Sequence, residues 1–446
     1  MKRLFAQKAF FIGGLLLVAA QTAAAQSQAG AYAITHAKIF TVSGAPIDDG
    51  TLVIRDGKIA AVGANVEIPA GAQVIDGKGL QVYPGLFDAV TQMGLSEISA
   101  VNATVDSAET GPFNPDVVAA TAILPSSEHI PVTRAAGITE VLAVPASGGF
   151  DFSGSRGVIG GQASAIHLSG WTIDEMLIKK SVAMAVNWPE IETQTFDFTT
   201  FSRKEKPFAE AKMEYEKQLS ELTEWLERAR HYAVALEHEK TADFRRDVKL
   251  EALVPVVRGQ LAMLVVADRG REIRNAVEFA DKQKLKIIIA GGAEAYQVKD
   301  LLRSKSVPVI LRPPLTLPTE EDDPYDRLLS QPAELAKAGV KFAIGSFDNS
   351  FARRLGQNAA NAVAHGLPYE EALKAVTLYP AEILGLADQI GTLEVGKTAN
   401  VIVTSGDPLE VTTDVRYLFI RGRLTSTDNK HQRLYEKYVN RPKTAP

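Results

Sequence analysis

Apolar positions divide this chain into two ends that read as β-structure and a long middle that alternates strand with helix. Ala33–Thr35, Lys38–Val42, Thr51–Ile54 and Ile59–Val62 are short strand-like runs, the last two joined by Asp56-Gly57. An Asp-Gly turn between apolar runs predicts a hairpin. A second turn, Asp76-Gly77-Lys78-Gly79, leads into Leu80–Tyr83. Near the other end, Gly391–Leu393, Asn400–Val403 and Val415–Ile420 repeat the pattern, closed by Arg421-Gly422-Arg423. Neither end encloses a core alone, so the two are predicted to pair as one β-sandwich and cover each other's open edges.

Between them, β-branched runs precede stretches with helical spacing. The runs are Ile138–Val144, Met263–Val266, Lys286–Ile289, Val307–Leu311 and Lys341–Ile344. Continuous apolar strands alternating with amphipathic helices predict an α/β fold with a parallel sheet covered by helices. The length of the middle suits a (β/α)8 TIM-like barrel. Phe208–Tyr232 reads as one long amphipathic helix packed outside that barrel. The predicted units are a signal peptide (1–25), the N-terminal sandwich part (26–83), the barrel (84–387), the C-terminal sandwich part (388–425) and a helix with tail (426–446).

The first 25 residues set the expected compartment. Lys2, Arg3 and Lys8 precede the apolar run Ala9–Ala20, and Ala23-Ala24-Ala25 stands before Gln26. This is the pattern of a cleaved secretory signal, and the apolar run is short of the ~20 residues that span a bilayer. A periplasmic or secreted protein without a membrane span is expected. The 446 residues contain no cysteine, which excludes disulfides, thiolate metal sites and a Cys nucleophile. The net charge of −5 offers no basic face for nucleic acid.

Three segments carry a family resemblance. Asp76-Gly77-Lys78-Gly79-Leu80-Gln81-Val82-Tyr83-Pro84-Gly85-Leu86-Phe87-Asp88, the stretch from Gly366-Leu367-Pro368 to Ile383-Leu384-Gly385, and Ile390–Val403 leading to Gly406-Asp407-Pro408 lie in order along most of the chain. Together they resemble the amidohydrolase superfamily, particularly its imidazolonepropionase-like members. Asn400 stands where that family usually has Asp.

The resemblance implies a metal-dependent hydrolase acting on C–N bonds. It implies a His-x-His pair after the first strand, histidines on the fifth and sixth strands, and an Asp on the eighth. Such imidazoles hold a divalent ion that makes hydroxide near neutral pH, and the Asp takes a proton from that water. Here the pair position reads Val90-Thr91-Gln92, the fifth strand ends Val266-Ala267-Asp268-Arg269, and the sixth reads Ile289-Ala290-Gly291-Gly292. None contains a histidine. The eighth, Gly345-Ser346-Phe347-Asp348-Asn349, leaves Asp348 as the catalytic candidate, with Phe347 inserted.

Polar residues around the expected barrel mouth supply further pocket candidates. Gln92, Glu97, Asp106 and Glu109 follow the first strand, and Asp268, Arg269 and Glu294 follow the fifth and sixth. The Gly/Ser-rich segment Ser147–Gln162 adds Arg156 and reads as a loop, with backbone amides free to cradle an oxygen. Converging carboxylates would bind a hard cation through oxygen, work as an acid/base pair, or form only a solvated rim. His129 and His167 fall near the second and third barrel segments, within reach of its mouth. No cofactor is assigned, and a divalent metal stays open despite the missing histidines.

Two functions follow as alternatives. One is a hydrolase of C–N bonds in a small amide or peptide-like substrate. The other is an inactive binding protein on the same scaffold, as a homo-oligomer or paired with a related hydrolase.

Overall fold

In the computed structural model, residues 30–146, 157–197, 202–237, 245–320 and 322–442 are described. The expected signal segment up to Ala25 and the stretch 147–156 with Arg156 lie outside them. No helix among the described residues is long and apolar enough to cross a membrane.

The N-terminal strands are β1 (Tyr32–Ile39), β2 (Ile47–Arg55), β3 (Lys58–Gly63), β4 (Gln73–Asp76) and β5 (Gln81–Pro84). Asp56 and Gly57 both take positive φ (53° and 79°), as the β2–β3 hairpin requires. The next strands are β6 (Leu86–Thr91), β7 (Ile138–Ala143), β8 (Ile159–His167) and β9 (Leu177–Asn187). A small hairpin of β10 (Gln194–Asp197) and β11 (Ser202–Glu205) follows. Then come β12 (Ala262–Ala267), β13 (Ile287–Gly291), β14 (Val309–Leu311) and β15 (Phe342–Ile344). Last are β16 (Val401–Thr404), β17 (Val415–Ile420) and β18 (Arg423–Thr425).

The two ends meet as predicted. One eight-stranded sheet runs β18-β17-β16-β5-β1-β2-β3, with β4 paired to β1. The ends join where β16 pairs antiparallel with β5, Val401 opposite Pro84 and Val403 opposite Val82. Ile34, Leu52, Ile54, Val82, Val401 and Phe419 form its core. Gly391–Leu393, expected as a strand, is instead irregular. Gly391 sits at φ 99°, outside strand geometry.

The second eight-stranded sheet, β6-β7-β8-β9-β12-β13-β14-β15, curls into a nearly closed barrel. Side-chain and backbone hydrogen bonds complete the seam between its end strands. Ser346 N donates to Asp88 Oδ1 (2.8 Å), Phe347 N to Val90 O (2.8 Å), and Thr91 Oγ1 to Asp348 O (2.7 Å). Alternation sorts the strand residues into two faces. Ala89, Leu142, Leu264, Ile288, Ile310 and Ala343 belong to the interior cluster. Val141, Val265, Ile289 and Phe342 instead join helix residues such as Leu222, Leu226, Ile273 and Leu335. The long helix spans Phe208–Glu237, and its Trp225 stacks on Phe113.

One strand departs from the predicted parallel pattern. β8 is antiparallel to both β7 and β9. It begins inside the glycine-rich segment read as a loop up to Gln162. Gly161 explains the tolerance of that run, because a Cβ there would lie 2.7 Å from Val117 O. The reversal also moves His167. It stands opposite Glu140, early in β7, and so lies at the base of the barrel, away from the mouth.

Candidate functional site

Strand alternation sets what the barrel mouth receives. In β12 the interior positions Leu264 and Val266 continue to Asp268, and in β14 Ile310 continues to Arg312. These two side chains form an ion pair. Arg312 Nε lies 3.3 and 3.2 Å from the two Asp268 carboxylate oxygens, and its Nη2 lies 3.2 Å from Oδ2. The guanidinium also covers the Phe347 ring, 4.5 Å from its centroid. Phe347 takes φ 54° just past β15, a cost for a bulky residue that puts its ring under Arg312. Beside them is a cavity of about 210 Å³, walled by Leu311, Pro314, Leu317, Leu328 and Ile344, with Thr316 and Gln331 as polar members. Arg312 was absent from the candidates chosen on sequence. Its signal was local: it stands two positions past Ile310, on the interior parity.

The other candidates are engaged in building loops. Glu97 accepts from Ser127 Oγ (2.6 Å) and Glu128 N (3.1 Å), ahead of the short helix His129–Arg134. His129 Nε2 meets the Glu97 carbonyl at 2.8 Å. Glu294 is buried and accepts from Gly270 N (2.7 Å), the first residue of the helix Gly270–Gln283. A carboxylate there satisfies an orphan donor and complements the helix dipole. Arg269 pairs with Glu320 at 3.0 Å, half exposed. Asp106 and Glu109 are exposed, and Gln92, just past β6, is partly buried. Glu97→Ala is expected to lower stability by about 1–2 kcal/mol, by loss of two hydrogen bonds to a carboxylate; urea titration measures it.

Asp348 is similarly occupied. Its Oδ1 accepts from Ser350 N (2.6 Å) and Phe351 N (2.8 Å), folding the loop back on itself. The carboxyl at the seam is Asp88, fully buried, with Oδ1 taken by Ser346 N and, at 3.4 Å, Val90 N. Its Oδ2 has no partner, and burial pushes the carboxyl up to about 7 against the opposing Ser346 bonds.

A second buried polar group lies at the barrel base. Glu140 accepts from Thr139 Oγ1 and Asn400 Nδ2, and Asn400 Nδ2 is 3.3 Å from His167 Nδ1. Asn400 Oδ1 accepts from Arg421 N at 2.7 Å. Burial raises Glu140 to about 8 despite both donors. Burial, then the Arg421 charge, lowers His167 to about 3. Asn400, which replaces the family's usual Asp, is thus the amide that ties the start of β16 to β7 and β8.

The imidazole-held metal does not fit this donor set. Val90 has no donor atom, the Asp268 carboxylate is taken by Arg312, and the Asp348 carboxylate faces backbone amides. Among the described residues no three His, Asp or Glu side chains group closely enough to hold a metal ion.

Similar proteins place this geometry. A profile of the amidohydrolase family matches residues 328–426. The amidohydrolase tasK of Hapsidospora irregularis is 24% identical over 403 residues, which is 82% of this chain and 38% of that protein. The chain therefore spans well under half the length of that relative. The crystal structure of an amidohydrolase from Thermotoga maritima MSB8 superposes with a TM-score of 0.76 at 26% identity, covering 89% of this chain and 99% of its own. Molinate hydrolase, at 17% identity and a TM-score of 0.56, covers 94% of this chain and 99% of its own, and shows the fold alone. The family match covers the C-terminal segment, and the likeness to the Thermotoga amidohydrolase extends over nearly the whole chain, so this chain is similar to amidohydrolases in fold and in sequence.

Proposed function

We propose that this chain uses the amidohydrolase barrel to bind a small amide or peptide-like molecule at its mouth without metal-activated hydrolysis. One observation carries the reading: Asp268, at the fifth-strand end where the family resemblance calls for an imidazole, is ion-paired to Arg312 from the end of the seventh strand. A site built on a fixed organic cation orients an oxygen ligand, but lacks the means to lower the pKa of a bound water. Export to the periplasm belongs to this reading and rests on the Lys2–Ala25 pattern. So does association with an active relative, which size-exclusion chromatography of the mixed proteins would detect.

Metal analysis of protein purified without chelators, beside an amide, ester and lactam panel with and without Zn²⁺ or Mn²⁺, tests the proposal. The expected result is substoichiometric metal and no turnover. Stoichiometric metal lost together with activity in Asp348→Asn would overturn it. The second reading is hydrolysis of C–N bonds in a small substrate. It is favoured by the likeness to the Thermotoga amidohydrolase over nearly the whole chain. Turnover of any panel amide, with or without added metal, would establish it.

A further inference from the structure

The metal's misfit and the cavity beside it point to a specific kind of ligand. Arg312 is fixed from three sides. Its Nε and Nη2 are held by Asp268, its plane rests on Phe347, and its backbone N donates to Gly291 O at 3.2 Å. Its Nη1 group has no protein partner among the described residues. The Asp268 acceptors are used: Oδ1 by Arg312 Nε and Ala293 N (3.4 Å), Oδ2 by Arg312 Nε and Nη2. What the mouth offers is therefore a donor edge on a locally neutral pair.

Gly291 shows how closely this pair is built in. A Cβ there would lie 2.5 Å from Asp268 Oδ1, and its φ is 102°. The sixth-strand position that carries an imidazole in the family is thus occupied by the fifth-strand carboxylate. Returning a histidine to it would displace Asp268 and release Arg312.

We propose that Arg312 is the ligand-orienting cation of this mouth, receiving on Nη1 the carbonyl oxygen of a small uncharged amide. The amide's apolar body lies against Pro313, Leu317 and Leu328, the apolar lining residues that keep accessible surface. A carboxylate is disfavoured because Asp268 already neutralises Arg312 and repels a second anion. A cation meets Arg312 itself. At about 210 Å³ the cavity is smaller than the ~300 Å³ at which drug-sized sites begin, so a fragment-sized molecule fits. This inference rests on the binding function proposed above.

Ligand-observed NMR titration of the mature protein with benzamide, benzoate and toluene tests it. Benzamide is expected to bind more tightly than benzoate. Arg312→Leu should weaken benzamide by about tenfold or more, the scale of one charge-assisted hydrogen bond, and leave toluene unchanged. Asp268→Asn, which unmasks the cation, should reverse the order in favour of benzoate. Arg312→Lys serves if the leucine variant loses its circular dichroism, and should show a smaller loss of the same sign. Equal benzamide affinity in both Arg312 variants, tighter benzoate binding by the unmodified protein, or no benzamide binding at all would overturn the assignment. Conversion of benzamide to benzoate and ammonia would instead sink the non-hydrolytic reading, and Arg312 would then be judged by whether its variants raise KM.

Discussion

Gly85→Ala should destabilise this protein by about 3 kcal/mol or more, the upper end for forcing one methyl into a packed interior. A Cβ at Gly85 would lie 1.8 Å from Thr139 Oγ1, 2.5 Å from its Cγ2 and 2.7 Å from its Cβ. Neither side yields readily. Gly85 N donates to Asn400 O at 3.0 Å, and Thr139 is wholly buried and bonded to Glu140. Thr139→Ala in the same chain should recover only part of the loss, because the Cβ at 2.7 Å remains. Urea titration of the single and double variants measures this; a cost for Gly85→Ala below about 1 kcal/mol, the range of tolerated swaps, would show that the β5–β6 junction relaxes. The Pro84-Gly85 step in the sequence thus marks where the chain leaves the terminal sheet under the first residues of β7.

Stability should fall as pH rises from about 4.5 to about 8. Asp88 rises from 3.8 to about 7 on folding, and Glu140 from 4.5 to about 8. Between those limits the folded state binds more protons than the unfolded state, so stability is full below the unfolded values and is lost as pH climbs through the folded ones. His167 works in the opposite sense. Its folded value of about 3 lies below the ordinary 6.5, so it costs stability as pH falls through that window. Two carboxyls against one imidazole leave a net decline across pH 4.5–6.5, steepest just above 6.5 where His167 no longer opposes them. Each proton contributes a slope of about 1.4 kcal/mol per pH unit. Denaturant midpoints measured from about pH 5 to pH 8 read the sum. Glu140→Gln and Asp88→Asn should each remove about one proton's worth of slope; a flat profile in the unmodified protein would mean these carboxyls ionise freely in place.

Much of the scaffold was legible in consecutive residues. The runs at 138–144, 263–266, 286–289, 307–311 and 341–344 became β7, β12, β13, β14 and β15, because apolar periodicity is a local property of the chain. The glycine-rich start of β8 misled for the same reason. Glycine composition marks backbone freedom, and only the contact of Gly161 with Val117 shows that close approach was its use here.

The amino-acid order by itself determined the β–barrel–β arrangement, the hairpin at Asp56-Gly57, and the absence of imidazoles from the strand ends. Tertiary structure alone decided what stands in their place. Asp268 and Arg312 are 44 residues apart, Glu140 and Asn400 are 260 apart, and Asp88 and Ser346 are 258 apart. Each carboxylate's partner depends on strand order, register and direction, as when the reversal of β8 carried His167 from the expected mouth to the base. Side-chain chemistry is written residue by residue, but which atoms neutralise, donate or desolvate one another is set by the packing of distant segments.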